Sequence, residues 1–291
     1  MNAMLLRDFL PDPGLRGFIQ CYRIVHFESD KTSEVFFKVY PPKPEVCLHF
    51  VLQGSIENKF ADRNTKELLF PVTLAGQQTS VTPRYNSSSL LNFQIVFQPT
   101  TVFRLTGISA FELTNKYLDA EAIFPKIRFA FEELQQAKTY DELLAIAQRI
   151  TTSLVGNILK DVHQLDAAAN WMKKRGDEIS LDWLARQSCL CSKQFKRKFY
   201  ERVGVNPKTY ARIIKFNNAF NIKNANPAWD WLRIATACNY YDYQHLVKDY
   251  KNFTGQTPKE FHILENNSPE CKLGLSKELY RDRFRSGTLQ L

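Results

Sequence analysis

No apolar run in this sequence approaches the roughly 20 residues that a membrane-spanning helix requires, and none of its six cysteines is spaced C-x-x-C from another. The first absence removes a bilayer-crossing helix from the expected elements. The second removes a zinc clamp of paired cysteines and a thioredoxin-like redox pair. Cys21, Cys47, Cys189, Cys191, Cys238 and Cys271 are therefore expected to act as small buried apolar residues. The opening MNAMLLRDFL lacks the basic-then-apolar order of an export signal, so a cytoplasmic location is expected. No nucleophile elbow, P-loop, dinucleotide fingerprint or zinc-protease motif occurs. Catalysis, a metal and a cofactor are accordingly not expected.

Net charge is also missing from the first 165 residues, where 17 Lys/Arg balance 17 Asp/Glu. Residues 166–265 hold 17 basic against 10 acidic side chains, and residues 266–291 hold 5 against 3. The overall +9 thus resides in the last two fifths of the chain. A basic region beside a neutral one suggests that only the first handles a polyanion such as double-stranded DNA. On charge alone, a solvated helical surface is the plainer alternative. At 291 residues, 44% of them hydrophobic and 24% charged, the chain is long enough for two ordinary globular domains.

The hydrophobic period changes along the chain. From about Val35 to Phe97, EVFFKVY, EVCLHFVLQG, LLFPVTLAG and LLNFQIVF have strand length and strand composition. PPKP, ENKFADRN and TPRYNSSS are read as the turns between them. This predicts a small antiparallel barrel or sandwich. After Pro99 the segment TTVFRLTGISAFELTNKYL predicts a helix, a break at Gly107, and a second helix capped by Ser109 with Glu112 at capping-box spacing. Downstream, Leu143, Leu144, Ala147, Ile150, Leu154, Ile158 and Val162 recur at spacings of three and four, one apolar stripe of a helix. That stripe has two readings: packing on its own barrel, or a seam between two copies.

The most informative feature is an internal repeat. ISLDWLARQSCLCSKQFKRKFYERVGVNPKTY (179–210) and DWLRIATACNYYDYQHLVKDYKNFTGQTPKEF (230–261) share one plan. Each begins with an apolar residue and alanine, Leu184-Ala185 and Ile234-Ala235, and reaches a turn four residues later, at Cys189 and Asn239. A second helix follows, anchored by Phe195 and Phe199 or by Leu246 and Tyr250 at i, i+4. Both helices run into glycine (Gly204, Gly255), and then into proline (Pro207, Pro258), which opens the next helix. This is the logic of a helix-turn-helix: alanine permits a close helix crossing, and the turn residue takes a tight, often left-handed, backbone. The buried anchors then aim the other face of the second helix at the major groove. Between the units, PKTYARIIKFNNAFNIKNA predicts one helix of about 25 Å, ending before Asn226-Pro227.

With these residues assembled, the pair of units resembles the DNA-binding domain of AraC-type transcription regulators. Arg212-x-x-Lys215-Phe-x-x-Ala219 lies where that family has its linker-helix signature. Ala235-x-x-x-Asn239-Tyr240, Asp242, Phe253-x-Gly255 and Thr257-Pro258-x-x-Phe261 follow its second-motif signature. Cys189 and Asn239 depart from it by replacing the usual turn glycines. The resemblance implies that Lys193, Gln194, Lys196 and Arg197, with Gln244 and Lys248, face the groove, and that Lys208, Thr209 and Lys251 reach phosphates. It further implies a cupin-like barrel, a small-molecule effector, RNA polymerase and a second copy of the chain as partners. The H-x-H pair of metal-binding cupins is absent, so His49 is read as a core residue; Tyr40, His49, Gln53 and Gln94 are candidate pocket linings. The expected architecture is α+β: an amino-terminal β-rich barrel with helices (1–150), a linker helix (151–165), a carboxy-terminal all-α domain of two helix-turn-helix units joined by a helix (166–265), and a tail (266–291). A non-specific architectural DNA binder and an enzyme fused to such a domain are the alternative readings.

Overall fold

The computed structural model describes residues 4–28, 36–59, 65–175, 180–268 and 271. Its strands are β1 (Met4–Phe9), β2 (Ile19–Glu28), β3 (Phe36–Tyr40), β4 (Val46–Gln53), β5 (Ile56–Lys59), β6 (Lys66–Leu68), β7 (Val72–Ala75), β8 (Thr82–Asn86), β9 (Ser89–Phe97) and β10 (Tyr117–Asp119). Helices α1 (Thr101–Thr106), α2 (Ala110–Leu113), α3 (Ile127–Gln136) and α4 (Tyr140–Gly156) complete the amino-terminal domain. The carboxy-terminal domain is helical: α5 (Gln164–Arg175), α6 (Leu181–Gln187), α7 (Ser192–Val203), α8 (Pro207–Ala225), α9 (Trp231–Ala237), α10 (Tyr243–Thr254) and α11 (Pro258–Asn266). The α+β architecture is as expected.

The strands form two antiparallel sheets, ordered β1-β2-β9-β4-β7-β10 and β3-β8-β5-β6. Because side chains alternate across a strand, the larger sheet has two distinct faces. Tyr22, Ile24, Leu48, Phe50, Leu74, Phe93 and Ile95 project to one side and pack against Ile127 and Leu134 of α3 and Leu143 and Ala147 of α4. The opposite face is mixed: Cys21, Phe27, Leu90 and Val96 on it are buried and apolar, and a polar row crosses it. Pairing aligns Asp8, Arg23, Gln94, His49 and Thr73 across five strands. This polar row looks toward Lys38, Arg84 and Asn86 of the smaller sheet across a cavity.

The structure corrects several local expectations. Two strands, β1 and β2, precede the first one read from the sequence; β2 is apolar on both parities and offers no alternation to detect. TPRYNSSS is not a turn: Thr82–Asn86 is strand β8, with Thr82, Arg84 and Asn86 buried. ENKFADRN begins within β5, and its residues 60–64 lie outside the described ones. The second helix after Gly107 stops at Leu113, and Tyr117–Asp119 pairs with β7 instead. The expected linker helix over 151–165 is divided: α4 ends at Gly156 and α5 starts at Gln164. The apolar stripe turns inward. Leu143 and Ala147 are buried in the sheet–helix core, with Leu144, Ile150, Leu154 and Ile158 packed on its margin, while Val162 is exposed. Among the cysteines, Cys21, Cys47 and Cys238 are buried as expected, but Cys189 and Cys191 are exposed. Of the tail, only residues 266–268 and Cys271 are described.

Candidate nucleic-acid interface

Helices α6 and α7 form one helix-turn-helix unit and α9 and α10 a second, and their turns are built alike. Cys189 has φ 52° and Asn239 φ 56°, both left-handed. In the first turn, Cys189 N donates to Arg186 O at 3.0 Å and Leu190 N to Ala185 O at 3.0 Å. In the second, Asn239 N donates to Thr236 O at 3.0 Å and Tyr240 N to Ala235 O at 2.9 Å. Equivalent bonds from equivalent positions show that the repeat in sequence is a repeat in backbone. Cys189 occupies the left-handed region without glycine's freedom, at a cost of about 1 kcal/mol. Both second helices end on left-handed glycines, Gly204 and Gly255. Asn206 and Thr257 then cap the next helices, each ahead of a proline at the first helical position.

The anchors behave as their spacing implied. Phe195 and Phe199 are buried with Leu184, Ala185 and Tyr210 in the first unit's core. Leu246 and Tyr250 are buried with Ile234, Ala235 and Phe216 in the second's. With these faces fixed inward, Lys193, Gln194, Lys196 and Arg197 on α7 and Gln244 and Lys248 on α10 are exposed. Gln194 has a local task as well: its Oε1 accepts from Cys191 N at 3.3 Å and caps α7. Lys208 and Lys251 are exposed, while Thr209 is half-buried in the first turn of α8. The signature residues of the linker helix brace the second unit from below. Arg212 Nη2 lies 2.6 Å from Asp249 Oδ1, and Tyr240 Oη donates to Asp249 Oδ2 at 3.1 Å. Burial and this carboxylate push the Tyr240 hydroxyl far above its ordinary pKa, so it stays a donor. Lys215 Nζ donates to Asn239 O at 2.6 Å, tying the linker helix to the turn itself.

Sequence reasoning passed over the start of α10. Asp242 caps this helix by accepting from His245 N at 2.8 Å, and Tyr241, directly before it, is 91% exposed. The spacing Asp242-x-x-His245, that of a side-chain acceptor capping a helix start, was the available signal. Each unit meets the amino-terminal domain by the far end of its second helix. Thr114 Oγ1 donates to Gly204 O at 2.8 Å, and the rings of Phe111 and Tyr200 lie 4.6 Å apart. Val81 N donates to Phe253 O at 3.1 Å. A buried ion pair, Lys38 Nζ to Glu265 Oε1 at 2.9 Å, joins β3 to α11. The helix starts and their polar faces remain outside these contacts.

The candidate pocket linings separate. Tyr40, His49 and Gln94 line the cavity between the sheets, whereas Gln53 lies at an exposed strand end, donating to Ser89 Oγ. His49 is buried, with Asn92 Nδ2 3.2 Å from its Nδ1 and Cys47 Sγ 3.1 Å from its Nε2. Burial and the cations of Arg84 and Arg23 lower its pKa well below the ordinary value, which keeps the ring neutral. Burial also pushes the Cys47 thiol up to about 12. No cluster of three metal-ligating side chains occurs among the described residues, and no helix there is long and apolar enough to cross a membrane.

Comparison with known proteins bears on each half separately. Residues 222–261 match the family described as bacterial regulatory helix-turn-helix proteins, AraC family. Residues 7–119 match a domain of unknown function, DUF6597. No curated protein matches the sequence. Among solved structures, ToxT from Vibrio cholerae O395 is 10% identical, with 87% of this chain and 99% of that one covered at a TM-score of 0.44. Unsaturated fatty acid bound ToxT from Vibrio cholerae strain SCE256 is 10% identical over 84% of this chain and 95% of that one, at a TM-score of 0.44. The AraC-like transcriptional activator CuxR is 14% identical over 74% and 87%, at 0.26. The family match falls on the second of two units with the same turn geometry. The carboxy-terminal domain thus carries an AraC-type helix-turn-helix unit at residues 222–261, preceded by a second unit with the same turn geometry.

Proposed function

We propose that the chain reads a defined DNA sequence with both units and adjusts that reading to a small molecule held between its sheets. The observation that carries the first part is the pair of equivalent left-handed turns, which present α7 and α10 as two exposed, polar reading helices. Lys193, Lys196 and Arg197 on α7, with Gln194, are assigned to one stretch of major groove, and Gln244 and Lys248 on α10 to another. Arg and Lys pair with guanine O6/N7 and Gln with adenine. Lys208, Thr209 and Lys251 are assigned to phosphates, which position the protein without reading sequence. RNA polymerase and a second copy of the chain are the partners that the resemblance implies, and the cytoplasm is the compartment where they meet. The inward turn of the α4 stripe means that another surface serves any pairing of copies.

The second part rests on contacts between the halves. Phe220 of α8 lines the same cavity as Arg23, His49 and Arg84, and the Lys38–Glu265 pair ends at its rim. An occupant therefore touches the helix that joins the two units. It can shift DNA affinity only by binding two arrangements of the domains unequally, with a coupling on the order of 1–3 kcal/mol. Footprinting of the intact chain tests the DNA reading: protection of one defined sequence supports it, and uniform protection along the duplex supports an architectural binder instead.

A further inference from the structure

The cavity between the sheets is polar where a sandwich interior is ordinarily apolar, and its charges are unequally satisfied. Arg23 is fully engaged. Its Nε and Nη2 donate to Asp8 at 2.6 and 3.0 Å, and its Nη1 and Nη2 to Glu45 at 3.0 and 3.2 Å. Lys38 has Glu265. Arg84 is different. It is only 7% exposed, and it meets Asn58 Oδ1 at 3.1 Å through Nε, the hydroxyl of Tyr117, and the face of Tyr40 at 4.7 Å. No carboxylate among the described residues pairs with it. A buried, unpaired guanidinium is costly, and its neighbours add to the deficit. Asn86 Oδ1 and Asn92 Oδ1 are buried without a donor, and both residues line the cavity. One cation without a carboxylate among the described residues and two acceptors without a donor thus surround one space.

We infer that this space takes a compact carboxylate that also carries a hydroxyl, the carboxylate paired with Arg84 and the hydroxyl donating to Asn86 or Asn92. This rests on the effector-responsive reading above and adds the ligand's chemistry. Size sets the upper limit. The cavity measures about 120 Å³, and a cavity of roughly 150 Å³ accommodates benzene. The ligand is therefore smaller than a substituted ring: a short hydroxy acid of about four carbons, not a long acyl chain. The apolar lining of Val25, Ile56, Leu90 and Phe220 suits its alkyl part.

The test is thermal unfolding and calorimetric titration of the full chain with lactate, 3-hydroxybutyrate, butyrate, 3-hydroxybutyramide and oleate at up to millimolar concentration. At least one of the two hydroxy acids is expected to raise the melting temperature in a concentration-dependent way. Butyrate should bind more weakly, and the amide and oleate should not bind. Arg84→Gln should weaken the hydroxy acid at least tenfold, with Arg84→Lys recovering part. Should Arg84→Gln fail to fold, Asn86→Asp gives a second reading, because its added carboxylate must repel the ligand. Binding of oleate or the amide in preference, an unchanged affinity in both variants, or no binding by either hydroxy acid overturns the assignment. Footprinting without ligand reads the DNA function independently, so the two can fail separately.

Discussion

Arg197, the sixth residue of α7, and Gln244, the second of α10, are exposed on the two reading helices. Replacing either by alanine is expected to cost about 1–3 kcal/mol on the preferred site and to relax discrimination near one base pair. Lys251→Ala should weaken all sequences alike and lower the slope of affinity against salt, as loss of one phosphate contact requires. Competition binding at two salt concentrations separates the outcomes; an Arg197→Ala protein with parental affinity and preference would remove α7 as a reader. The turn gives a second test at this scale. Cys189 is exposed at φ 52° and buries nothing there. Cys189→Gly should therefore raise the first unit's stability by about 1 kcal/mol, and Cys189→Val should lower it. His49 supplies a pH dependence. Its folded pKa lies well below its unfolded value of about 6.5. Between the two, the unfolded chain binds a proton that the folded chain refuses. Stability thus falls as pH drops below about 6.5, by up to about 1.4 kcal/mol per unit. Urea unfolding at pH 7 and 5.5 should show this slope reduced in His49→Gln; an equal slope in both proteins contradicts it.

At the scale of elements, what the sequence disclosed depended on whether its signal was local. The helix-turn-helix units were legible because their alanines, turn residues, aromatic anchors and caps all lie within some 30 residues of one another. The boundaries of α8 followed the same local marks. Strand β8 was not legible, because Pro83 and Asn86 signal a turn while the alternation of Thr82, Arg84 and Asn86 signals a buried polar face. Only an opposing polar sheet makes that face tolerable. Arg84 and the Lys38–Glu265 pair were missed for that reason: their partners are far away in the chain. The α4 stripe shows the complement, since a helix against a sheet and a helix against its copy have the same period. Leu143→Glu should therefore unfold the amino-terminal domain and not merely separate copies, because the carboxylate would enter an apolar core. Asp249 shows what the family signature does. Asp249→Ala removes the acceptor of both Arg212 and Tyr240 and should destabilise the second unit by about 2–3 kcal/mol. Calorimetry reads this directly, and an unchanged melting temperature would show that the bracing is dispensable.

Across the whole molecule, the two halves have separate cores joined by a few specific contacts. A fragment spanning 164–268 contains the buried residues of both helical cores and loses only Val39 and Val81 from the margin of the second, so it should fold and bind DNA, though more weakly than the full chain. Gly204 distinguishes the interface from the unit. A Cβ there would lie 2.8 Å from Ala110 O, across the boundary between the halves. Gly204→Ala should hence destabilise the full chain more than the fragment; equal losses would show that only the left-handed cap matters. The central claim is that two basic, exposed helices read one sequence together. Selection of bound duplexes from a random DNA pool by the intact chain tests this most directly. The account predicts enrichment of one motif with two parts, one blurred by Arg197→Ala and the other by Gln244→Ala. Recovery of unrelated sequences, with affinity set by salt alone, would contradict it.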